Sequence, residues 1–345
     1  MNIKFNYKLL RKLLLEALIN INVPNNVSIP LVDSLIETSL RGVDSHGINL
    51  FPLYYKLLNR GRINKNPQLK ITQTGLSTTT IDANNGLGYY AGSKAMDKAI
   101  DMASETGVGV VTVKNSNHFG AASYFTHKAA NKGMIGFAFT NTEPLVNAFN
   151  STEAFLGTNP FCFSAPMDKE EPFCLDMATS TVAWNKIKNY QRENQTLSQG
   201  WALDNKGNET LNPHDAHSLI AIGGYKGFGL GMIIEILCSG LTDSTLGVDI
   251  HSMHDIENPN ERKISHFFLV IDIKKFINLD IFKKYMSTLS TRVRNLPSSK
   301  EEKVLMAGDK EKENFKQRVT KGIPVDEIKF QEFLDISPKF KQSIL

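Results

Sequence analysis

The chain has 345 residues, 41% of them hydrophobic and 21% charged, which is apolar enough to exclude a disordered protein and long enough for about two domains at roughly 150 residues each. Nowhere do about 18 uncharged apolar residues run together, so no membrane-spanning helix is expected; the longest candidate, residues 227–241, is interrupted by Glu235 and glycines. A net charge of +4 is small for this length, and the lysines of 298–321 alternate with Glu and Asp, which describes a solvated helix face and not a nucleic-acid surface.

Leu10, Leu14 and Leu18, with Leu13 and Ala17, recur at helical spacing, so the N-terminal stretch reads as an amphipathic helix on a core. Arg11, Lys12 and Glu16 interrupt its apolar run and no small-residue cleavage site follows, which argues against a secretory signal and for a cytoplasmic protein. A second helix is expected with Ser28 as cap, Pro30 in the first turn and Leu31, Leu35 and Ile36 inward. A third runs over about 48–60 through Leu53, Tyr54, Leu57 and Leu58 to Gly61. From Leu69 the texture changes. Strands are expected over 69–72, 78–82, 109–114, 135–141, 161–165 and 173–176, with helices over 91–104 and 121–131. Residues 191–217 are polar and read as a hairpin plus loop, turning at 204–207. A glycine-rich run then opens an apolar helix over 227–239, an apolar strand follows over 266–273, and helices over 279–294 and 325–334 close the chain. The expected class is α/β (α+β-like) with a central mixed sheet. A helical domain from 1–68 and 315–345 would pack on a central α/β domain, 69–314. Cys162, Cys174 and Cys238 lie apart in apolar surroundings without a CxxC pattern, which describes buried thiols in a reducing compartment.

Several short stretches can carry chemistry. Gly86-x-Gly88-x-x-Ala91 formally satisfies a dinucleotide fingerprint between a strand and a helix. The next strand should then end in an acid that holds the ribose, yet it runs into Asn115-Ser116-Asn117-His118; a tight turn before a helix is the better account. His118 itself falls at the C-terminal end of a buried strand, where ligands collect in α/β proteins, and an imidazole there can exchange a proton with a carbonyl or alcohol; it can equally cap the turn. Asp44, Ser45 and His46 place an acid, a hydroxyl and an imidazole together, although Asp44 or Ser45 can simply cap the helix at 48. Lys226 within Gly223–Gly231 makes an anion cradle or, alternatively, the glycines serve close helix packing. Asp176 can cap a helix starting near Ala178 and leave its amides facing a cleft. The pairs His214/His217 and His251/His254 fall in polar loops read as exposed, and no metal site is expected.

In order, RGVDSHG at 41–47, NSNHFG at 115–120, LGTNP at 156–160, LDMATS at 175–180, GYKGFGLG at 224–231 and the strand from His266 resemble the type 2 malate/L-lactate dehydrogenase family of NAD(P)-dependent oxidoreductases, over about residues 5–335. The resemblance implies a dinucleotide-binding fold that is not Rossmann, and a homodimer with its active site near the subunit interface. It also implies hydride transfer between nicotinamide and C2 of a small 2-hydroxy or 2-oxo acid of malate, lactate or ureidoglycolate type. NAD or NADP would serve, with NAD the first expectation. A cyclic-imine carboxylate reductase and a non-catalytic cofactor-binding member are the alternatives. Within the family, 180–213 and the later SMHD are most similar to ureidoglycolate dehydrogenases.

Residue by residue, the resemblance puts the proton-transfer histidine at His118 and a second proton donor at His46. Cofactor contacts fall on Asp176, Met177, Ala178, Lys226, Gly308, Asp309 and Lys310. A substrate-contacting hydroxyl falls on Thr142, and a further substrate or cofactor contact on Arg262. The family's SHGxxR arginine, which clamps the substrate carboxylate, is replaced here by Leu50. Leucine supplies neither charge nor a bidentate donor, so either another cation, Arg41, Arg62 or Arg262, holds the carboxylate, or the substrate carries an apolar group where others have an anion.

Overall fold

The computed structural model describes residues 3–299 and 302–345. Asn6 opens α1 (Tyr7–Asn20) by accepting from the amides of Lys8 and Leu9, and Leu10, Leu13, Leu14, Ala17 and Leu18 are its buried face, as the spacing predicts. Helix α2 (Asn25–Leu40) starts earlier than expected. Its first turn follows Pro24, so Ser28 is not the cap; it is buried inside the helix, its hydroxyl turned back to the Val23 carbonyl. A 3₁₀ turn, Ile48–Leu50, leads into α3 (Phe51–Asn59).

The remaining helices are α4 (Gly88–Thr106), α5 (Ser123–Asn131), α6 (Trp184–Glu193), α7 (Tyr225–Cys238), α8 (Leu279–Arg294), α9 (Asp309–Lys321) and α10 (Glu327–Ile336). Two differ from expectation. Helix α6 takes in the start of the polar stretch read as hairpin and loop; its narrow apolar stripe of Trp184, Ile187 and Tyr190 is outnumbered by polar residues. Helix α10 begins after Val325, because Ile323–Val325 pairs antiparallel with Ile3–Phe5 and Asp326 then caps the helix. None of the described helices is long and apolar enough to cross a membrane.

The central sheet has seven strands among the described residues, in the spatial order 70–75, 78–82, 108–116, 264–272, 134–140, 161–165, 173–177. Only the 78–82 and 108–116 strands run parallel; every other neighbour is antiparallel, so the sheet is mixed. The 264–272 strand inserts between two strands that precede it by more than a hundred residues, and its first five residues are buried. Burial on both faces explains its near-continuous apolar sequence. Ala91, Ala95 and Ala99 of α4 and Phe125 of α5 pack one face against Val111, Val113 and Phe268. Ile234 and Cys238 of α7 meet Phe139 and Phe267 on the other. A separate core joins α1, α2 and α3 to Ile323, Val325, Phe333 and Phe340 near the C-terminus. The three cysteines are buried and unbonded.

Candidate active site

A cleft of about 1140 Å³ is lined by α2 and the loop after it, the His118 loop, the end of the 173–177 strand, the start of α6, residues 250–254 and the start of α9. It gathers His46, His118, Arg41, Leu50, Thr142, Asp176, Met177, Ala178, Gly308 and Lys310 from positions far apart in the chain.

His118 is placed by its surroundings. Asn115 adopts a left-handed conformation (φ 52°), which asparagine tolerates, and ends the run of the 108–116 strand. The Asn117 side-chain Nδ2 donates to the Asn85 carbonyl (3.1 Å), the Asn85 side-chain oxygen (2.9 Å) and the Gly86 carbonyl (3.1 Å). A Cβ at Gly88 would stand 2.1 Å from the Asn117 carbonyl oxygen, so only glycine lets α4 start this close to the His118 backbone. The apparent fingerprint glycine therefore serves packing, and Gly86, Gly88 and Ala91 lie outside the cleft lining.

From α3, the buried Tyr54 hydroxyl lies 2.5 Å from His118 Nδ1 and 3.1 Å from the Tyr89 hydroxyl. That occupies Nδ1 and leaves Nε2 of His118 without a hydrogen bond to the described protein. The His46 ring lies with its centroid 5.6 Å from that of His118, and its Nδ1 is 2.9 Å from Ser45 Oγ. Neither Asp44 nor Ser45 caps the following turn: Ser39 Oγ accepts the Ile48 amide (2.8 Å), while Asp44 is held by Arg318 (2.9 Å). Burial lowers the pKa of His46. Burial lowers that of His118 further, helped by competition with any proton on His46, by the positive charge of Arg262 and by competition with His266 and His254. Both imidazoles are thus neutral near neutral pH. Burial also pushes the Tyr54 phenol up, so it remains a hydroxyl that can donate and accept.

Asp176 differs from expectation. No helix starts at Ala178; Asp176 instead accepts the Ser123 amide (2.8 Å) at the start of α5. Desolvation by the surrounding cleft walls, with the neighbouring Cys174, raises its pKa to about 6, although its side chain still reaches the cleft's open space. Ala122 and Ser123 at this helix start and Gly308 to Lys310 at the start of α9 bring two helix N-termini to the cleft. Gly308 has φ 91°, and a Cβ there would lie 3.1 Å from the Cys174 carbonyl. Two helix starts and a cradle that a side chain would fill suit the phosphates of a nicotinamide dinucleotide, and the cleft is large enough for one.

Other expected contacts stand differently. The Asp309 carboxylate faces Arg294 (2.6 Å) and the Met306 amide (2.9 Å). Lys226 is exposed at the start of α7, outside the cleft lining. Thr142 lines the cleft, and its hydroxyl accepts the Thr158 amide (3.2 Å). Arg41 also lines it, with its guanidinium shared between Glu37 (3.0 Å) and Glu171 (2.8 Å). Arg262 is buried behind the cleft against Glu143 and the His251 carbonyl (2.8 Å), and Arg62 donates to the Ser252 (3.0 Å) and Asp255 carbonyls. His266 bonds Thr140 (2.7 Å) through Nδ1 and Ser116 (2.8 Å) through Nε2; burial lowers its pKa to about 3. Sequence reading took Tyr54 as core and did not single out Tyr89 or Lys188. It read His251 and His254 as part of an exposed polar loop; both are exposed, and their loop lines the cleft.

The malate/L-lactate dehydrogenase family model matches residues 5–333. The chain is 36% identical over 323 residues to a malate dehydrogenase of Pyrococcus abyssi, covering 90% of this chain and 87% of that one. A ureidoglycolate dehydrogenase (NAD(+)) of Escherichia coli O157:H7 is 30% identical over 284 residues, covering 82% and 81%. The sulfolactate dehydrogenase structure from Methanocaldococcus jannaschii superposes with a TM-score of 0.91 at 32% identity, covering 99% and 98%. The chain belongs to the malate/L-lactate dehydrogenase family. The mixed sheet and the packing role of Gly88 agree with a family fold that is not Rossmann. Members are nicotinamide-dependent dehydrogenases, and this chain is an oxidoreductase of that kind.

Proposed function

We propose that the protein interconverts a small 2-hydroxy acid and its 2-oxo acid, with His118 as the acid–base group, His46 beside it and NAD as the preferred cofactor. The observation that carries this is the pair of imidazole rings 5.6 Å apart in one cleft, one of them backed by Tyr54. When bound, the cofactor supplies the hydride-accepting and hydride-donating nicotinamide carbon. The protein manages the proton. In oxidation, neutral His118 accepts the C2 hydroxyl proton at Nε2, while its Nδ1–H donates to the Tyr54 oxygen. Tyr54 in turn donates to Tyr89. In reduction the imidazolium returns the Nε2 proton, and the neutral ring left behind keeps its Nδ1–H donated to the Tyr54 oxygen. His46 borders the same oxygen. Asp176, Met177, Ala178, Gly308 and Lys310 would line the cofactor's side, and Thr142 the substrate's.

The working unit is proposed to be a homodimer. Helix α7 leaves Tyr225, Ile233 and Ile236 exposed, beside exposed Phe149 and Phe155, an apolar face that a second copy would cover. Lys226 would then lie at the subunit boundary. Sedimentation should give twice the chain mass; a monomer at micromolar concentration contradicts this.

The test of activity is NADH and NADPH oxidation with a panel of 2-oxo acids and cyclic imines. Turnover of a 2-oxo acid is expected, with His118→Ala and His46→Ala each lowering it roughly 10²-fold or more. Turnover of imines alone, or wild-type rates in both variants, overturns the reading.

A further inference from the structure

We infer that the ammonium of Lys188 is the cation that binds the substrate's carboxylate in this cleft. This rests on the hydroxy-acid reading above. A small 2-oxo acid is an anion, and its carboxylate must exchange water for a charged partner when it enters. The cations lining the cleft are few. Arg41 is already divided between Glu37 and Glu171, and Lys312 faces Glu170 (3.2 Å). Lys310, at the start of α9, is exposed. Leu50, beside the histidines, offers no charge. Behind the lining, Arg62 and Arg262 are spent on backbone carbonyls and Glu143.

Lys188 is different. It lines the cleft, is half-buried, and has no hydrogen-bond or ion-pair partner among the described residues. Its position is fixed at two points: Ile187 is fully buried, and Asn185 donates to the Ser45 carbonyl (3.3 Å), one residue before His46. Lys188 follows Asn185 by three residues, on the same side of α6, so the helix turns it toward the His46 loop. The groups that act on it are Glu143, Arg192 and His254. Glu143 is committed to Arg262, and His254 is held neutral by burial and by the charge of Lys188 itself. One positive charge, partly desolvated, is therefore left uncompensated where an anionic substrate must enter. A proton on His254 would disfavour one on His118, which ties this corner to the proton-transfer group.

The experiment compares wild type, Lys188→Met and Lys188→Arg. Each is assayed with a 2-oxo acid that the wild type accepts and with the amide of that acid. KM for the acid should rise about 10- to 100-fold in Lys188→Met, as expected for a lost hydrogen bond to a charged group. The value of kcat should change by less than about fivefold, and KM for the amide should barely move. Lys188→Arg should recover most of the loss. An unchanged KM for the acid in Lys188→Met, or an equal rise for acid and amide, overturns the inference while leaving the dehydrogenase reading intact. If the wild type reduces no 2-oxo acid, that reading fails by itself. Calorimetric binding of oxamate to the NADH-saturated protein then decides: weaker binding in Lys188→Met supports the anion site, and equal binding in both removes it.

Discussion

Behind His118 the polar groups close on one another, whereas across the cleft the side chains of Lys188 and His254 have no hydrogen-bond partner among the described residues. Tyr54 bridges His118 and Tyr89, Asn117 is bonded to Asn85 and Gly86, and His266 has both ring nitrogens occupied. On the α6 side, Ile187 is the only buried residue of the helix, and it belongs to a small satellite cluster with Leu197 and Leu219. A closed network fixes one geometry, which proton transfer requires. An open wall holds charge ready for a ligand at little cost to the fold. Chemistry and specificity are thus supported by different parts of the molecule, and substitutions should separate them.

The largest stability effect is expected on the closed side. Gly88→Ala would drive a methyl group against the Asn117 carbonyl, 2.1 Å away, and should cost about 1–3 kcal/mol by thermal or urea unfolding, with activity falling as the His118 loop shifts. A variant as stable and active as wild type would show that α4 is not pinned there. Lys188→Met supplies the contrast: its unfolding free energy should stay within about 0.5 kcal/mol of wild type.

Tyr54→Phe should act more mildly and more selectively. It removes the partner of His118 Nδ1, and a buried donor or acceptor left alone costs about 1–3 kcal/mol at most. The informative readout is the pH profile. In the wild type the lowered pKa of His118 keeps the base form present well below pH 6.5, so oxidation should hold its rate into mildly acidic buffer. Reduction, which needs the imidazolium, should speed up as pH falls. Loss of Tyr54 should move the inflection of both profiles together. A profile unchanged by Tyr54→Phe would detach the tyrosine from proton transfer.

Much of this was readable before any coordinates. The 161–165 strand and the 279–294 helix have the expected limits, because aromatic alternation marks the one and an Asn cap with a basic last turn marks the other. His46 and His118 were singled out by short polar motifs at element ends, and they share the cleft. What stayed hidden depends on distance in space. Tyr54 and Tyr89 look like ordinary core residues until their hydroxyls are seen to meet. Arg41, Arg62 and Arg262 look like free cations until their partners, up to 193 residues away, are known. Lys188 sits in a helix too polar to announce itself, and its importance comes from a partner it lacks.

The placement of the 264–272 strand has a consequence for synthesis. Until that segment leaves the ribosome, the 108–116 and 134–140 strands have no neighbour between them, and each presents an unpaired apolar edge. Most of the chain must therefore wait, incompletely joined, for the sheet's central strand to arrive. The nascent protein is most vulnerable to self-association late in translation, and the two halves of the catalytic cleft come together only when the interior strand locks them.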